Sequence, residues 1–198
     1  MSRLRVFFTG VGGQGTVTAT RLLAQSALDE GIPVVAGEVH GMAQRGGIVE
    51  STVLMGGYVS PRICRGEADV LLGFEPMETL RALPYLAMRG LILCSTDPLP
   101  PLGVCCGREQ SPGAEDIRRL IRQCTQNVYF LACRELGAQA GAEQAGNLAL
   151  LGALQALGRL PFGLDRLEKT VAKLFSPKLV DVNLKALSLG AEAVAQEQ

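Results

Sequence analysis

Leu4-Arg5-Val6-Phe7-Phe8-Thr9-Gly10-Val11-Gly12-Gly13-Gln14-Gly15 is the stretch that decides the fold. Its first half is the short apolar run of a buried strand, and four glycines punctuate its second half. Thr16 to Glu30 follows with Leu22, Leu23, Ala27 and Leu28 at helical spacing, and Gly31 stands where a helix ends on a left-handed glycine. A strand, a G-x-G-x-x-G turn and a helix in that order open a Rossmann-like α/β unit.

The alternation continues outward from this unit. Pro33 to Gly37 reads as a second strand, Glu38 to Gly47 as a polar, glycine-rich loop, and Ile48 to Met55 as a third strand. Asp69 to Phe74 and Gly90 to Ser95 are continuous apolar runs, which suit strands covered on both faces of a parallel sheet. Pro76 to Leu83 reads as a helix with proline near its first position. Thr96 to Pro112 is a loop, Glu115 to Gln126 an amphipathic helix and Val128 to Cys133 a last strand. Leu148, Leu151, Leu154 and Leu157, then Leu164, Leu167, Val171 and Leu174, then Val180, Leu184, Leu187, Ala191 and Val194 mark three C-terminal helices. The expected fold is α/β: a mostly parallel sheet flanked by helices, residues 1–198 forming one domain with a helical part from about residue 145.

Composition removes several classes of function. The chain has 198 residues, 47% hydrophobic and 19% charged, which excludes a disordered tail. Nineteen Lys and Arg balance nineteen Asp and Glu, so no basic field is available for nucleic acid. A neutral, apolar surface instead predisposes the isolated chain to self-association. The longest apolar run, Ala145 to Gly158, is too short to span a bilayer, and Gly10, Gly12 and Gly13 interrupt anything resembling a secretory leader. The expected location is cytoplasmic, with no membrane partner. Six cysteines form no C-x-x-C pair, so no metal or cluster site is expected in this chain.

Two blocks carry candidate chemistry. Gly10, Gly12, Gly13, Gln14 and Gly15 would expose backbone N–H groups at a helix N-terminus, where an anion is favoured. Glu38 lies at the spacing of a ribose-binding acid, so a nucleotide-type ligand and a purely structural turn both remain open. The second block, Glu38 to Gly47, holds the only histidine. Histidine is the residue type whose unperturbed side chain changes charge near neutrality, and arginine can clamp a carboxylate or phosphate, which makes His40 and Arg45 the candidate catalytic residues. Glu38 and Gln44 join the glycine loop as candidate cofactor-facing residues. There is no H-E-x-x-H, G-x-S-x-G or P-loop, so the chain does not read as a self-sufficient enzyme.

Gly10 to Gly15 followed by Glu38-Val39-His40-Gly41-Met42-Ala43-Gln44-Arg45-Gly46-Gly47 resembles the gamma-type component of 2-oxoacid:ferredoxin oxidoreductases, in the branch of the small (beta) subunit of the indolepyruvate enzymes. Gly66 to Pro76, Leu80 to Leu86, Asn147 and Asn183 extend the resemblance over nearly the whole chain, with a departure at Thr96 to Pro112 around Cys105-Cys106. The resemblance implies an accessory subunit supporting oxidative decarboxylation of a 2-oxo acid to an acyl-CoA, with electrons passed to ferredoxin. It also implies that thiamine diphosphate, magnesium and [4Fe–4S] clusters reside on a large partner subunit, with coenzyme A received near the interface. The alternatives are a stand-alone Rossmann-type nucleotide-dependent dehydrogenase and a purely structural subunit.

Overall fold

A computed structural model describes residues 3–40, 47–100, 104, 106–108 and 110–195. Its strands are β1 (Leu4–Val11), β2 (Val34–His40), β3 (Ile48–Met55), β4 (Ala68–Gly73), β5 (Leu86–Ser95) and β6 (Val128–Leu131). Its helices are α1 (Thr16–Asp29), α2 (Pro76–Ala82), α3 (Ala114–Cys124), α4 (Cys133–Ala140), α5 (Gly146–Ala156), α6 (Leu164–Leu174) and α7 (Pro177–Ala195).

The six strands form one sheet in the order β2-β3-β1-β4-β5-β6. β1, β4, β5 and β6 pair in parallel, whereas β3 runs antiparallel to both β1 and β2. The β2–β3 hairpin therefore places β3 beside β1, in register from Leu4 opposite Met55 to Val11 opposite Ile48, and β2 becomes the edge. The chain moves to one side of β1 for β2 and β3 and to the other for β4, β5 and β6. The ends of β1 and β4 thus flank a topological switch point, the place where open α/β sheets bind ligands.

Side-chain alternation divides the core into two layers. Val6, Phe8, Val53 and Leu72 face α1 and the C-terminal helices, while Phe7, Leu54, Leu71 and Ile92 face α2 and α3. Phe7 stacks on Tyr85 with ring centroids 4.5 Å apart. α5 is mostly apolar and mostly buried: Leu148, Leu150, Leu151 and Leu154 are inaccessible. α7 lies directly against it. A Cβ on Gly152 would stand 1.9 Å from the Leu187 carbonyl oxygen, and one on Gly190 would stand 2.0 Å from that of Ala149. The apolar run at Ala145 to Gly158 is thus an interior helix. No helix among the described residues is long and apolar enough to cross a membrane.

Several boundaries differ from the sequence reading. β2 extends through Glu38 and Val39 to His40, because its ladder to β3 persists until His40 opposite Val49. An edge strand with exposed Glu38 and Val39 has no apolar alternation to announce it. β5 begins at Leu86 rather than Gly90, since its first turn out of the core includes exposed Met88 and Arg89. Cys133 starts α4 instead of closing β6.

Candidate functional site

The glycine turn is held from four directions. The Val11 amide donates to Gln14 Oε1 at 2.8 Å, and Gln14 Nε2 donates to the Phe74 carbonyl at 3.0 Å. Gln14 therefore bridges the ends of β1 and β4 across the switch point, with both halves of its amide engaged. The Gly12 amide donates to the Gly47 carbonyl at 2.9 Å, tying the turn to the base of the β2–β3 hairpin. From the far end of the chain, Asn147 Nδ2 donates to the Gly15 carbonyl at 3.4 Å.

Gly15 occupies the left-handed region at φ 81°, and a Cβ there would lie 1.9 Å from Asn147 Nδ2. Only glycine meets both the dihedral and the clearance. Gly15 is also the N-cap of α1, yet no side chain caps it and no acidic residue occupies the first turn. The positive end of a fourteen-residue helix is thus left for something outside the helix to satisfy.

Beside this end lies a cleft of about 660 Å³. Its walls are Gly13 to Gly15, Phe74, the segment after β5, the start of α4, and Asn147, Val182 and Asn183 from α5 and α7. Asn183 is 5% exposed. Asn147 Oδ1 is buried without a hydrogen-bond partner among the described residues. A buried amide oxygen without a partner is costly, so Asn147 suits this wall to a polar ligand.

Several other polar groups of the cleft are engaged. Asp97 Oδ2 accepts from Ser95 Oγ at 2.8 Å and from the Arg134 amide at 2.7 Å. The Arg134 guanidinium pairs with Glu143 at 2.7 Å, which holds its pKa above the ordinary value. Burial pushes the Cys133 thiol up to about 12, so it is no nucleophile near neutrality. Glu75, itself buried, caps α2 by accepting from the Glu78 amide at 2.8 Å and also accepts from the Leu99 amide at 3.3 Å. It fixes the loop that forms one lip of the cleft.

The sequence-predicted residues divide between two places. Gly13, Gln14 and Gly15 line the cleft, and Gly10 and Gly12 lie just behind it. Glu38 and His40 do not join them. They end β2, and β3 intervenes between β2 and β1. In a dinucleotide site the ribose-binding acid ends the strand next to β1. Here that strand is β3, so the glycine turn and Glu38 do not reproduce the dinucleotide arrangement. Gln44 and Arg45 lie outside the described residues, as does Cys105. Asn147 and Asn183, which entered the sequence reading only as part of the resemblance, converge on the cleft. No group of three or more His, Cys, Asp or Glu side chains among the described residues is placed to hold a metal ion.

Residues 5–193 match the family model for pyruvate ferredoxin/flavodoxin oxidoreductase. The chain belongs to that family. It is 39% identical to the indolepyruvate oxidoreductase subunit IorB of Pyrococcus horikoshii, covering 99% of this chain and 98% of that one. Identity to the IorB subunit of Archaeoglobus fulgidus is 37%, over 95% of this chain and 94% of the relative. The fold matches the crystal structure of a keto/oxoacid ferredoxin oxidoreductase gamma subunit from Geobacter sulfurreducens, with a TM-score of 0.72 at 24% identity, covering 99% and 98% of the two chains. The family assignment and the mixed six-stranded sheet with C-terminal helices agree with the resemblance found in the sequence.

Proposed function

We propose that this chain is the small accessory subunit of an indolepyruvate-type 2-oxoacid:ferredoxin oxidoreductase. The complex would oxidatively decarboxylate an aryl 2-oxo acid to its acyl-CoA and pass the electrons to ferredoxin. The observation that carries this reading is end-to-end likeness to indolepyruvate oxidoreductase small subunits. Thiamine diphosphate with magnesium and the [4Fe–4S] clusters belong, in this reading, to a larger partner subunit.

The chain's own contribution is the cleft at the switch point. The free end of α1 suits a phosphate group, and the Asn147 and Asn183 amides suit an amide- and hydroxyl-bearing ligand arm. Those donors fit coenzyme A, which when bound supplies the thiol that accepts the acyl group. β2 ends at His40 and β3 begins at Ile48 at the same end of the sheet, where the Gly47 carbonyl accepts from the Gly12 amide. His40 and Arg45 are assigned to the subunit junction there, Arg45 as an anion clamp and His40 as a proton carrier.

The test is reconstitution with the large subunit. Co-purification with a thiamine- and cluster-binding chain is expected, and a stable monomer with no affinity for it would sink the reading. Asn183→Ala should raise KM for coenzyme A with little change in KM for the oxo acid. Alanine at His40 and Arg45 should lower kcat or raise a KM. Unchanged constants for both substrates would leave the chain a purely structural subunit. Stoichiometric binding of NAD(H), NADP(H) or FAD by the isolated chain would restore the dehydrogenase alternative.

A further inference from the structure

On the opposite face of the sheet from the cleft, α3 and β6 enclose a groove of about 730 Å³. Thr96 lines this groove while its neighbours Ser95 and Asp97 line the cleft, so both open at the same end of β5. The sequence Ala114-Glu115-Asp116-Ile117-Arg118-Arg119-Leu120-Ile121-Arg122 explains its chemistry. Ile117 and Ile121 are buried against the sheet, which turns Arg118, Arg119 and Arg122 outward.

These arginines are not equivalent. Arg119 is paired with Asp116 at 2.6 Å. Arg118 and Arg122 have no carboxylate partner among the described residues. Their guanidinium carbons instead sit 5.7 and 5.4 Å from the centroid of the Phe130 ring on the edge strand β6. Stacking on an aromatic face satisfies the plane of a guanidinium but leaves its N–H donors free. It also restrains two long side chains beforehand, which lowers the entropy lost when they engage an anion. Two parallel forks one helical turn apart match carboxylates on a facing surface. In a chain of zero net charge this is a local positive spot, not part of a field that would attract nucleic acid.

We infer that the Arg118–Arg122–Phe130 face of α3 is a docking surface for an acidic segment of the large partner subunit. The inference rests on the proposed function for the existence of that subunit, and adds the face and the chemistry that hold it. Arginine and aromatic residues together are the usual anchors of such contacts. The interaction would be sensitive to salt, since one partner of each pair is exposed before binding.

The experiment measures the affinity of this chain for its large subunit at low and high potassium chloride. Arg118→Glu/Arg122→Glu should weaken binding about tenfold or more and flatten the salt dependence. Arg118→Lys/Arg122→Lys should fall between, because lysine keeps the charge and loses the stacked fork. Arg159→Glu, the same reversal on an exposed residue elsewhere, should bind as the unaltered chain does. Circular dichroism of the reversed variant checks that α3 is retained. If the unaltered chain binds the large subunit and the reversed variant matches it in affinity and salt dependence, the docking face is wrong while the proposed function stands. If the unaltered chain fails to bind at all, both fall. Specific binding of poly(U) or inorganic phosphate that depends on Arg118 and Arg122, with subunit affinity untouched, would also overturn the assignment.

Discussion

The sheet has two unlike halves. On one side of the switch point β1, β4, β5 and β6 run parallel, and each delivers its following loop to the same end. Those loops converge with α5 and α7 into the cleft. On the other side β2 and β3 form an antiparallel hairpin that leaves the candidate residue Glu38 on an exposed edge. Glu38 is exposed and Val39 is 68% exposed there, whereas Asn183 in the cleft is 5% exposed. Parallel strands concentrate chemistry in a crevice. A hairpin presents it to a neighbour. The β1–β3 ladder joins the two halves, and the hydrogen bond from Gly12 to Gly47 continues it beyond the end of β1.

Substitutions should therefore act on folding in the first half and on association in the second. The largest effect is expected of Gly15→Val, which forces a β-branched residue into a left-handed conformation 1.9 Å from Asn147 Nδ2. It should cost about 3 kcal/mol or more in urea unfolding. A variant of near-normal stability would mean that Asn147 swings away freely, and the cleft wall would then be softer than drawn. Gln14→Ala should cost about 1–3 kcal/mol by the same measurement, because it strips partners from the Val11 amide and the Phe74 carbonyl together.

A smaller, pH-dependent effect should come from Glu78 on the α2 face. Burial raises its pKa above the ordinary 4.5; Glu75 and Glu50 add to the rise and Arg81 opposes it. The native state thus holds this proton more tightly than the unfolded chain. The resulting stability is present below 4.5 and is lost as pH rises through the raised native value. Glu78→Gln should compare better with the unaltered protein near pH 7 than near pH 4, as read from thermal unfolding at the two values (about neutral and about the carboxylate range). The opposite order would show that its pairing with Arg81 dominates. The smallest effect on folding is expected in the hairpin: Val39→Ser should change stability by no more than about 0.5 kcal/mol. A larger loss would mean that Val39 is covered within the chain and that the two halves are less different than their exposures indicate.

Much of the fold was legible from local pattern. The strands at Leu4, Ile48 and Ala68 and the helix at Thr16 follow from apolar runs and periodicity that a few neighbouring residues define. Edge strand β2 was not fully legible, because an edge needs no apolar alternation beyond Gly37 to keep its ladder. The start of α4 at Cys133 was hidden for a similar reason: the apolar run through Cys133 reads equally as strand or helix. At the site, the glycine turn was visible as a motif, but its meaning was not. Gln14 lines the cleft and is also a strut between two strands, which the motif did not announce.

Sequence alone determined that this is an α/β chain with a glycine turn at the head of its first helix, since spacing and backbone permissiveness are local properties. Its likeness to the small subunits of oxoacid oxidoreductases was also written in contiguous blocks. Tertiary structure decided that β3 separates Glu38 from the turn, that Asn147 reaches Gly15 from 132 residues away, and that Asn183 faces the same cleft. It also decided that Arg118 and Arg122 share one ring on a neighbouring strand. Strand order and long-range contact depend on how distant surfaces are buried together, and no short stretch of residues carries that information.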